Sequence, residues 1–242
     1  MGRDEAALSS TIGGVVFPSP GADACSACHS WTAVAGSLCP TCADALTVLP
    51  LLAPVLPITL FAKPSPMRDA LTQYKGDDGQ PQARALSTML NGFLECHREH
   101  AVSYFGSDWD CVVPVPSTKG REGAPLSGVA AGGGLNVSAG LRSSGLAGEH
   151  RRYDLPLFVT ERKDVGGRVL LLEDAYVSGA RSQTAAATLR VAGLQVVGIL
   201  ALGRRVNPDF NDCARLFWGR RVCGLRSLAE AFDWLTTAGG PG

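Results

Sequence analysis

Two adjacent acidic residues, Glu173 and Asp174, lie between an apolar run and a turn of small residues. The four apolar residues at 169 to 172 predict a buried strand, which the acids end. Ser178 and Gly179 follow in a short turn. Paired carboxylates can accept hydrogen bonds from vicinal hydroxyl groups, as an acidic residue does on ribose in dinucleotide sites.

The alanine-rich residues at 180 to 191 predict a helix that begins directly after this turn. In an open α/β sheet, ligands bind at the carboxyl ends of the strands. The backbone N–H groups of a turn that opens a helix attract phosphate. The segment therefore predicts a site for a phosphorylated sugar, and an ordinary turn with two solvated acids is the alternative.

Four cysteines near the start of the chain have the spacing of a metal site. Two C-x-x-C pairs, Cys25 with Cys28 and Cys39 with Cys42, are separated by ten residues. Tetrahedral zinc needs four ligands, and each pair can present two thiolates from one tight turn. We therefore predict a structural Zn²⁺ site, with disulfides as the alternative. A DNA-reading finger is not predicted, because residues 43 to 60 are apolar and interrupted by prolines.

The composition fits one α/β domain of ordinary size with a small appendage. The chain has 242 residues, of which 45% are apolar and 18% are charged. Its 22 basic residues balance its 22 acidic residues, so no chain-wide field for binding polyanions is expected. The sequence has no apolar run of about 18 residues and no signal-peptide pattern at its start, so we expect no membrane contact and a cytoplasmic location.

Hydrophobic periodicity predicts several elements before the acids. A helix is expected from Pro66, and a long amphipathic helix at residues 80 to 100. Residues 111 to 116 predict a short buried strand that ends at a proline. A weak helix is expected at residues 126 to 131, then flexible glycine-rich chain, and residues 155 to 159 could form a strand.

The sequence after the acids predicts parallel pairing. Gly193 is expected to cap the helix, and residues 194 to 202 to form another buried strand. A strand–helix–strand unit joins parallel strands through a right-handed crossover. Residues 216 to 218 are interpreted as an edge strand, and residues 227 to 235 as a terminal helix.

The segment from 170 to 181 resembles the phosphoribosyl-diphosphate (PRPP) loop of type I phosphoribosyltransferases, which usually has a hydrophobic strand, two acids and a Thr/Ser-Gly turn. A four-cysteine knuckle before such a core is the arrangement of the ComF family of competence proteins. The chain resembles that family over residues 23 to 45 and 70 to 208. Tyr74 and Lys75, followed by glycine, resemble the family's element before its first long helix. Lys75 either reaches the ligand or is a solvated turn residue.

The resemblance implies a type I phosphoribosyltransferase-like parallel sheet flanked by helices. It divides the chain into a zinc-knuckle segment at residues 1 to 60 and a phosphoribosyltransferase-like domain at residues 61 to 242. The reaction implied is displacement of pyrophosphate from C1 of PRPP by a nitrogen nucleophile, with Mg²⁺ bridging the diphosphate and ribose oxygens.

The resemblance also implies roles for residues. Glu173 and Asp174 would form the catalytic pair, holding the ribose hydroxyls and offsetting positive charge that grows on the ring. Backbone N–H groups and the Ser178 hydroxyl would hold the 5′-phosphate. The residues expected around that phosphate are Ala175, Tyr176, Val177, Ser178, Gly179 and Ala180.

A basic, glycine-bearing loop follows the strand expected at 111 to 116 and resembles the pyrophosphate loop of the family. Departing pyrophosphate needs cationic and hydroxyl donors where its charge builds. The residues that carry those groups are Ser117, Thr118, Lys119 and Arg121. A solvated charged hairpin is the alternative.

Two other functions stay open. The chain could sense PRPP or a nucleotide without turnover, with the knuckle docking a protein partner. It could also be a DNA-uptake accessory protein that binds single-stranded DNA, which the family's association with competence implies. The neutral net charge argues weakly against DNA contact by the core. A homodimer is a further expectation left open.

Overall fold

A computed structural model describes residues 16–18, 21–117, 125–146, 153, 157–161 and 167–222 of the chain. These residues form an α/β structure in which a four-stranded parallel sheet is flanked by helices. The helices are α1 (Pro40–Leu46), α2 (Pro66–Gln73), α3 (Gln80–Phe105), α4 (Pro125–Gly132), α5 (Ala180–Val191) and α6 (Asp212–Val222). The strands are β1 (Val55–Phe61), β2 (Cys111–Pro114), β3 (Leu141–Ser143), β4 (Phe158–Thr160), β5 (Arg168–Tyr176) and β6 (Gln195–Arg205).

The main sheet has the strand order β1-β6-β5-β2, and every pair in it is parallel. Apolar side chains of α2, α3 and α4 pack against one face. Side chains of α5 and of the cysteine segment pack against the other face. A parallel sheet covered on both faces explains why the strands are continuous apolar runs rather than alternating ones. The predicted α/β class with a parallel sheet is confirmed.

Strand β5 is longer than the sequence predicts. The acids were expected to end the strand, but the ladder continues past them, pairing Glu173 with Ala201, Ala175 with Gly203 and Tyr176 with Arg204. That expectation was wrong because the carboxylates find buried partners, so the backbone can stay in the sheet. The helix predicted at residues 180 to 191 is confirmed, and Gly193 follows it with a φ of 84° as a glycine C-cap.

Strand β1 has no counterpart in the sequence prediction. Its seven residues are all buried, and Pro57 lies opposite Ala201 of β6. A proline is tolerated there because β1 is at the edge of the sheet. The division expected at residue 60 falls inside this strand, so the sheet begins before it.

The helices before the acids agree with the periodicity. Helix α2 begins at Pro66, and the Ser65 hydroxyl caps it by accepting from Arg68 N at 3.2 Å. Helix α3 starts at residue 80 as predicted and extends to Phe105, where Gly106 takes a left-handed φ of 73°. The weak helix expected at residues 126 to 131 is present as α4.

Helix α6 corrects the interpretation of residues 216 to 218 as an edge strand. Ala214, Phe217 and Arg221 are its buried residues, which is a helical spacing. The Asn211 side-chain oxygen accepts from Ala214 N at 2.8 Å and starts the helix. The terminal helix expected at residues 227 to 235 lies outside the described residues.

A small antiparallel pair, β3 with β4, stands apart from the main sheet. Strand β3 lies in glycine-rich sequence where flexible chain was expected. Strand β4 overlaps the strand expected at residues 155 to 159. In the part of the chain that the structure describes, no helix combines the length and the apolar character needed to cross a membrane.

Candidate functional site

The two acids lie at the carboxyl end of β5 with almost no exposure to solvent. Glu173 is 1% exposed and Asp174 is 3% exposed. Successive side chains of a strand point to opposite faces, so most partners of the two carboxylates come from different elements. Glu173 faces α5, and Asp174 faces the turn between α2 and α3.

Asp174 is held by groups from the turn between α2 and α3. The Tyr74 hydroxyl donates to its carboxylate at 2.9 Å, and the Lys75 ammonium forms an ion pair with the same oxygen. The other carboxylate oxygen accepts from Ala175 N at 2.7 Å. Burial raises the pKa of Tyr74, so the hydroxyl stays protonated and acts as the donor.

Glu173 is held by the first turn of α5. The Arg181 guanidinium forms an ion pair with one oxygen, and the Ser182 hydroxyl donates to the other at 2.6 Å. Arg181 also lies 3.5 Å from Asp174, so its guanidinium touches both acids. Four charged groups are thus gathered at one end of the strand.

The environment separates the pKa values of the two carboxyls. Burial raises the pKa of Glu173 to about 7, against the opposing effect of the Arg181 charge. Burial alone would also raise the pKa of Asp174, but the positive charges of Lys75 and Arg181 bring it below its ordinary range. Asp174 therefore stays ionised at neutral pH, whereas Glu173 can exchange a proton there.

The basic residues lie between the acids and solvent. The Lys75 side chain is 24% exposed and the Arg181 side chain is 32% exposed. An anion that approaches this end of β5 therefore meets the cations before the carboxylates. Lys75 was left open between a ligand contact and a solvated turn residue, and its ion pair with Asp174 places it in the site.

The turn between β5 and α5 is short and partly exposed. Val177 is 45% exposed, and Ala180 N donates to the Ser178 hydroxyl at 3.4 Å. Gly179 has a φ of 78°, in the left-handed region that favours glycine. The Tyr176 ring lies so close beneath Gly179 that a β-carbon at that position would meet its hydroxyl.

We expect Gly179→Ala to destabilise the chain by about 1–3 kcal/mol, through its φ and through the clash with Tyr176. Gly106→Ala is the matched control, because Gly106 has nearly the same φ with open space around it. Urea unfolding of both variants measures the difference. Equal losses would show that the contact between Gly179 and Tyr176 is loose.

Strand β2 brings the start of the second predicted loop to the same end of the sheet. Pro114 pairs with Leu172, and Val115 N donates to Leu172 O at 2.9 Å. Ser117 therefore leaves the sheet on the side of the acids. Three residues expected to bind pyrophosphate lie outside the described residues: Thr118, Lys119 and Arg121.

An open cleft of about 920 Å³ lies beside Lys75. The turn between α2 and α3 forms one wall, and α3 and α4 form the others. Arg84, Ser87 and Asn91 supply polar groups from α3. Neither acid lines the cleft; Tyr74 and Lys75, which contact Asp174, line it and connect it to the site.

The four predicted cysteine ligands come together in one buried cluster. The sulfur atoms of Cys25, Cys28, Cys39 and Cys42 all lie within 4.8 Å of one another. All four are free cysteines, and Cys39 N donates to Cys25 Sγ at 3.2 Å. This arrangement could hold a metal ion. His29, directly after Cys28, instead pairs its Nε2 with the Tyr104 hydroxyl at 2.9 Å.

Several residues of the site have no counterpart in the sequence prediction. Ser182 and Gln183 are polar but lie on the buried face of α5, and Arg204 is 3% exposed within β6. Their signal in the sequence is a polar residue at a position that the helical or strand pattern buries. Tyr74 was noted in the resemblance without a role.

Comparison with known proteins adds no family to these observations. No model of a known protein family matches the chain, and no curated protein matches it. The function is therefore inferred from the residues and their geometry.

Proposed function

We propose that the chain binds PRPP with Mg²⁺ at the carboxyl end of β5 and transfers its phosphoribosyl group to a nitrogen acceptor, releasing pyrophosphate. The observation that carries the proposal is the buried pair Glu173 and Asp174 beside a turn that opens a helix. Each acid forms an ion pair with a partly exposed cation, Asp174 with Lys75 and Glu173 with Arg181. The type of fold and the resemblance of the loop to type I phosphoribosyltransferases support the same proposal.

Binding exchanges the partners of these charged groups. Without ligand, Lys75 and Arg181 neutralise the acids. The ligand brings anionic phosphates for the two cations, and it brings ribose hydroxyls and Mg²⁺ for the carboxylates. Each buried charge keeps an opposite charge throughout, so the exchange avoids a lone buried ion.

The turn after β5 supplies the phosphate donors. Helix α5 is twelve residues long, its N-cap residue Gly179 offers no side-chain cap, and Ala180 N makes only a long hydrogen bond of 3.4 Å to the Ser178 hydroxyl. Such a helix N-terminus attracts an anion through its free N–H groups and its dipole. The 5′-phosphate binds there, with the Ser178 hydroxyl as a further donor.

The carboxylates act on the reacting carbon through charge. The bond between C1 and the diphosphate oxygen breaks, and the pyrophosphate leaves with the bonding electrons. The bond between C1 and the acceptor nitrogen forms, and any proton on that nitrogen passes to solvent. Asp174, which stays ionised, offsets the positive charge that grows on the ring. Carboxylate oxygens also suit Mg²⁺, which would neutralise the leaving diphosphate when bound.

The cysteine cluster fits zinc as its metal. A regular tetrahedron with Zn–S bonds of about 2.3 Å has sulfur–sulfur edges of about 3.8 Å. Cys28 Sγ and Cys39 Sγ are 3.7 Å apart. Four thiolates leave no open coordination position, so we assign this site a structural role.

A sensor without turnover is the second candidate. It is favoured by the pairing of both acids, because exchange of ion pairs alone could signal that PRPP or a nucleotide has bound. Release of pyrophosphate on incubation with PRPP and candidate nitrogen acceptors separates the two. Binding of PRPP with no release of pyrophosphate, whichever acceptor is added, would favour the sensor.

Thermal unfolding with a panel of ligands tests the proposal. PRPP with Mg²⁺ at 100 times its dissociation constant should stabilise the chain by about 2.7 kcal/mol. That gain corresponds to a rise in Tm of about 5 to 10 °C for a chain of this size. Ribose 5-phosphate and pyrophosphate, which each carry part of the ligand, should give smaller shifts. A shift with single-stranded DNA and none with PRPP would contradict the proposal and favour the DNA-uptake function.

A further inference from the structure

Arg204 is a buried cation whose partners are not carboxylates. It is 3% exposed, and none of the carboxylates among the described residues forms an ion pair with it. A buried guanidinium needs a compensating charge and hydrogen-bond acceptors. Its Nη2 lies 3.6 Å from Cys28 Sγ, so the cysteine cluster supplies that charge. Four thiolates with one Zn²⁺ would leave two negative charges beside it.

The other arm of Arg204 holds the turn of the proposed ligand site. Its Nη1 donates to Tyr176 O at 3.0 Å and to Val177 O at 2.5 Å. The same nitrogen donates to Arg205 O at 2.9 Å, which fixes the guanidinium to its own strand. The guanidinium also lies over the Tyr176 ring, 5.2 Å from the ring centre. One side chain thus contacts both the cysteine cluster and the backbone that leads into the turn.

Tyr176 carries this restraint onward to Gly179. Its ring lies directly beneath Gly179, and its hydroxyl accepts from Gln183 Nε2 at 3.2 Å. Gln183 is in turn fixed to the Ala53 backbone by two hydrogen bonds, of 2.8 and 3.0 Å. A shift of Arg204 would therefore move the floor of the turn.

We infer that Arg204 is a positioning residue that couples the metal state of the four-cysteine site to the conformation of the turn at residues 177 to 179. The metal-bound thiolates hold one arm of the guanidinium, and the other arm holds the turn in the shape that presents its N–H groups. Losing the metal frees Arg204 and loosens the turn. The effect on PRPP affinity rests on the proposed function, but the effect on the turn does not.

Coupling between two sites is reciprocal. If metal loss weakens PRPP binding, then PRPP with Mg²⁺ must strengthen metal retention by the same factor. Couplings of this kind are commonly between about 5-fold and 150-fold. The chain would then bind its ligand well only while its cysteines are reduced and metal-loaded.

Amide hydrogen exchange of zinc-loaded and chelator-treated protein tests this inference without PRPP. In the wild type, exchange at residues 177 to 182 should become about tenfold faster on metal removal. Residues of α3 serve as the internal control for global unfolding. In Arg204→Met the turn should exchange rapidly with or without zinc. Arg205→Met, at the next position of β6, is the matched control and should behave as the wild type.

Arg204→Lys separates the two arms of the guanidinium. A lysine keeps the charge beside Cys28 but cannot bridge to the two carbonyls. Arg204→Lys should therefore retain zinc better than Arg204→Met, while its turn stays loose. Retention is measured by transfer of zinc to a chromophoric chelator. If Arg204→Met fails to fold, the wild-type comparison and Arg204→Lys still decide the matter.

Two results would overturn the inference. One is a wild-type turn whose exchange does not respond to zinc. The other is a turn in Arg204→Met that responds as strongly as in the wild type, which would assign the coupling to Tyr153, whose hydroxyl lies near Thr41 O and Ser178 O at 3.2 and 3.5 Å. If exchange in the turn responds to zinc but the chain does not bind PRPP, only the proposed function is refuted.

Discussion

Removing the metal from the four-cysteine site is expected to melt the N-terminal segment and to lower the stability of the whole chain. The four thiols are between 0% and 3% exposed, and they pack in the same core cluster as Val55 and Leu171 of the sheet. In zinc-finger peptides, metal binding supplies about 10–16 kcal/mol of folding free energy. Even a fraction of that energy is comparable with the total stability of an ordinary domain, about 5–15 kcal/mol.

Cys39→Ser is the variant that measures this effect. We expect it to lose the metal and to show a large fall in Tm, whereas the wild type carries close to one zinc per chain. Cys213→Ser is the control, because Cys213 is exposed and lies outside the cluster. Zinc analysis and thermal unfolding of all three proteins check the expectation. Wild-type protein that is purified without chelator and contains no metal would contradict it.

Arg181→Met is expected to destabilise the chain by about 3 kcal/mol at pH 8, because breaking a buried ion pair leaves an uncompensated charge. Glu173 would keep the hydrogen bond from the Ser182 hydroxyl but lose its ion pair with Arg181. The effect should shrink towards pH 5. The pKa of Glu173 in the folded wild type is about 7, above its ordinary 4.5, and without Arg181 this pKa should rise further. The folded chain then holds a proton that the unfolded chain has released, so the free energy of unfolding falls as the pH rises through that window.

The double variant Glu173→Gln with Arg181→Met is the control for this prediction. A neutral side chain at position 173 needs no cation, so the double variant should lose less stability than Arg181→Met at pH 8 and show a flatter pH dependence. Urea unfolding at pH 5, 6.5 and 8 provides the comparison. A loss in Arg181→Met that is the same at every pH would show that packing, not charge, accounts for the contact.

The parts of the site that are local in sequence could be predicted. The apolar run before Glu173, the small residues after Asp174 and the alanine-rich helix each have a short-range pattern. The spacing of Cys25, Cys28, Cys39 and Cys42 likewise predicts a four-cysteine cluster, because each C-x-x-C pair is a local turn. These features need no knowledge of the rest of the chain.

Contacts between distant segments could not be predicted. Lys75 and Asp174 are 99 positions apart in the sequence, and Arg204 lies 176 positions from Cys28. No periodicity connects such pairs, because the sheet order brings them together only after folding. The contact between Lys75 and Asp174 is also a reason why this acid is buried within β5 rather than solvated beyond the end of the strand.

Errors in the elements have equally specific causes. Strand β1 was hidden by its proline and by apolar sequence on its N-terminal side, and only its edge position makes Pro57 acceptable. Helix α6 contains Phe217 and Trp218, aromatic residues that favour strands. The burial of Phe217 together with Arg221, one turn on, overrides that preference.

The measurement that most directly tests the phosphoribosyl site is calorimetric titration of PRPP with Mg²⁺ into the wild type and into Asp174→Asn. We predict micromolar binding by the wild type and about 100-fold weaker binding by Asp174→Asn, which keeps the shape but removes the charge. Asp212→Asn, at a side chain that is 85% exposed on α6, should bind as the wild type does. Folded wild-type protein that gives no binding signal, or equal affinity in Asp174→Asn, would contradict the assignment of this site.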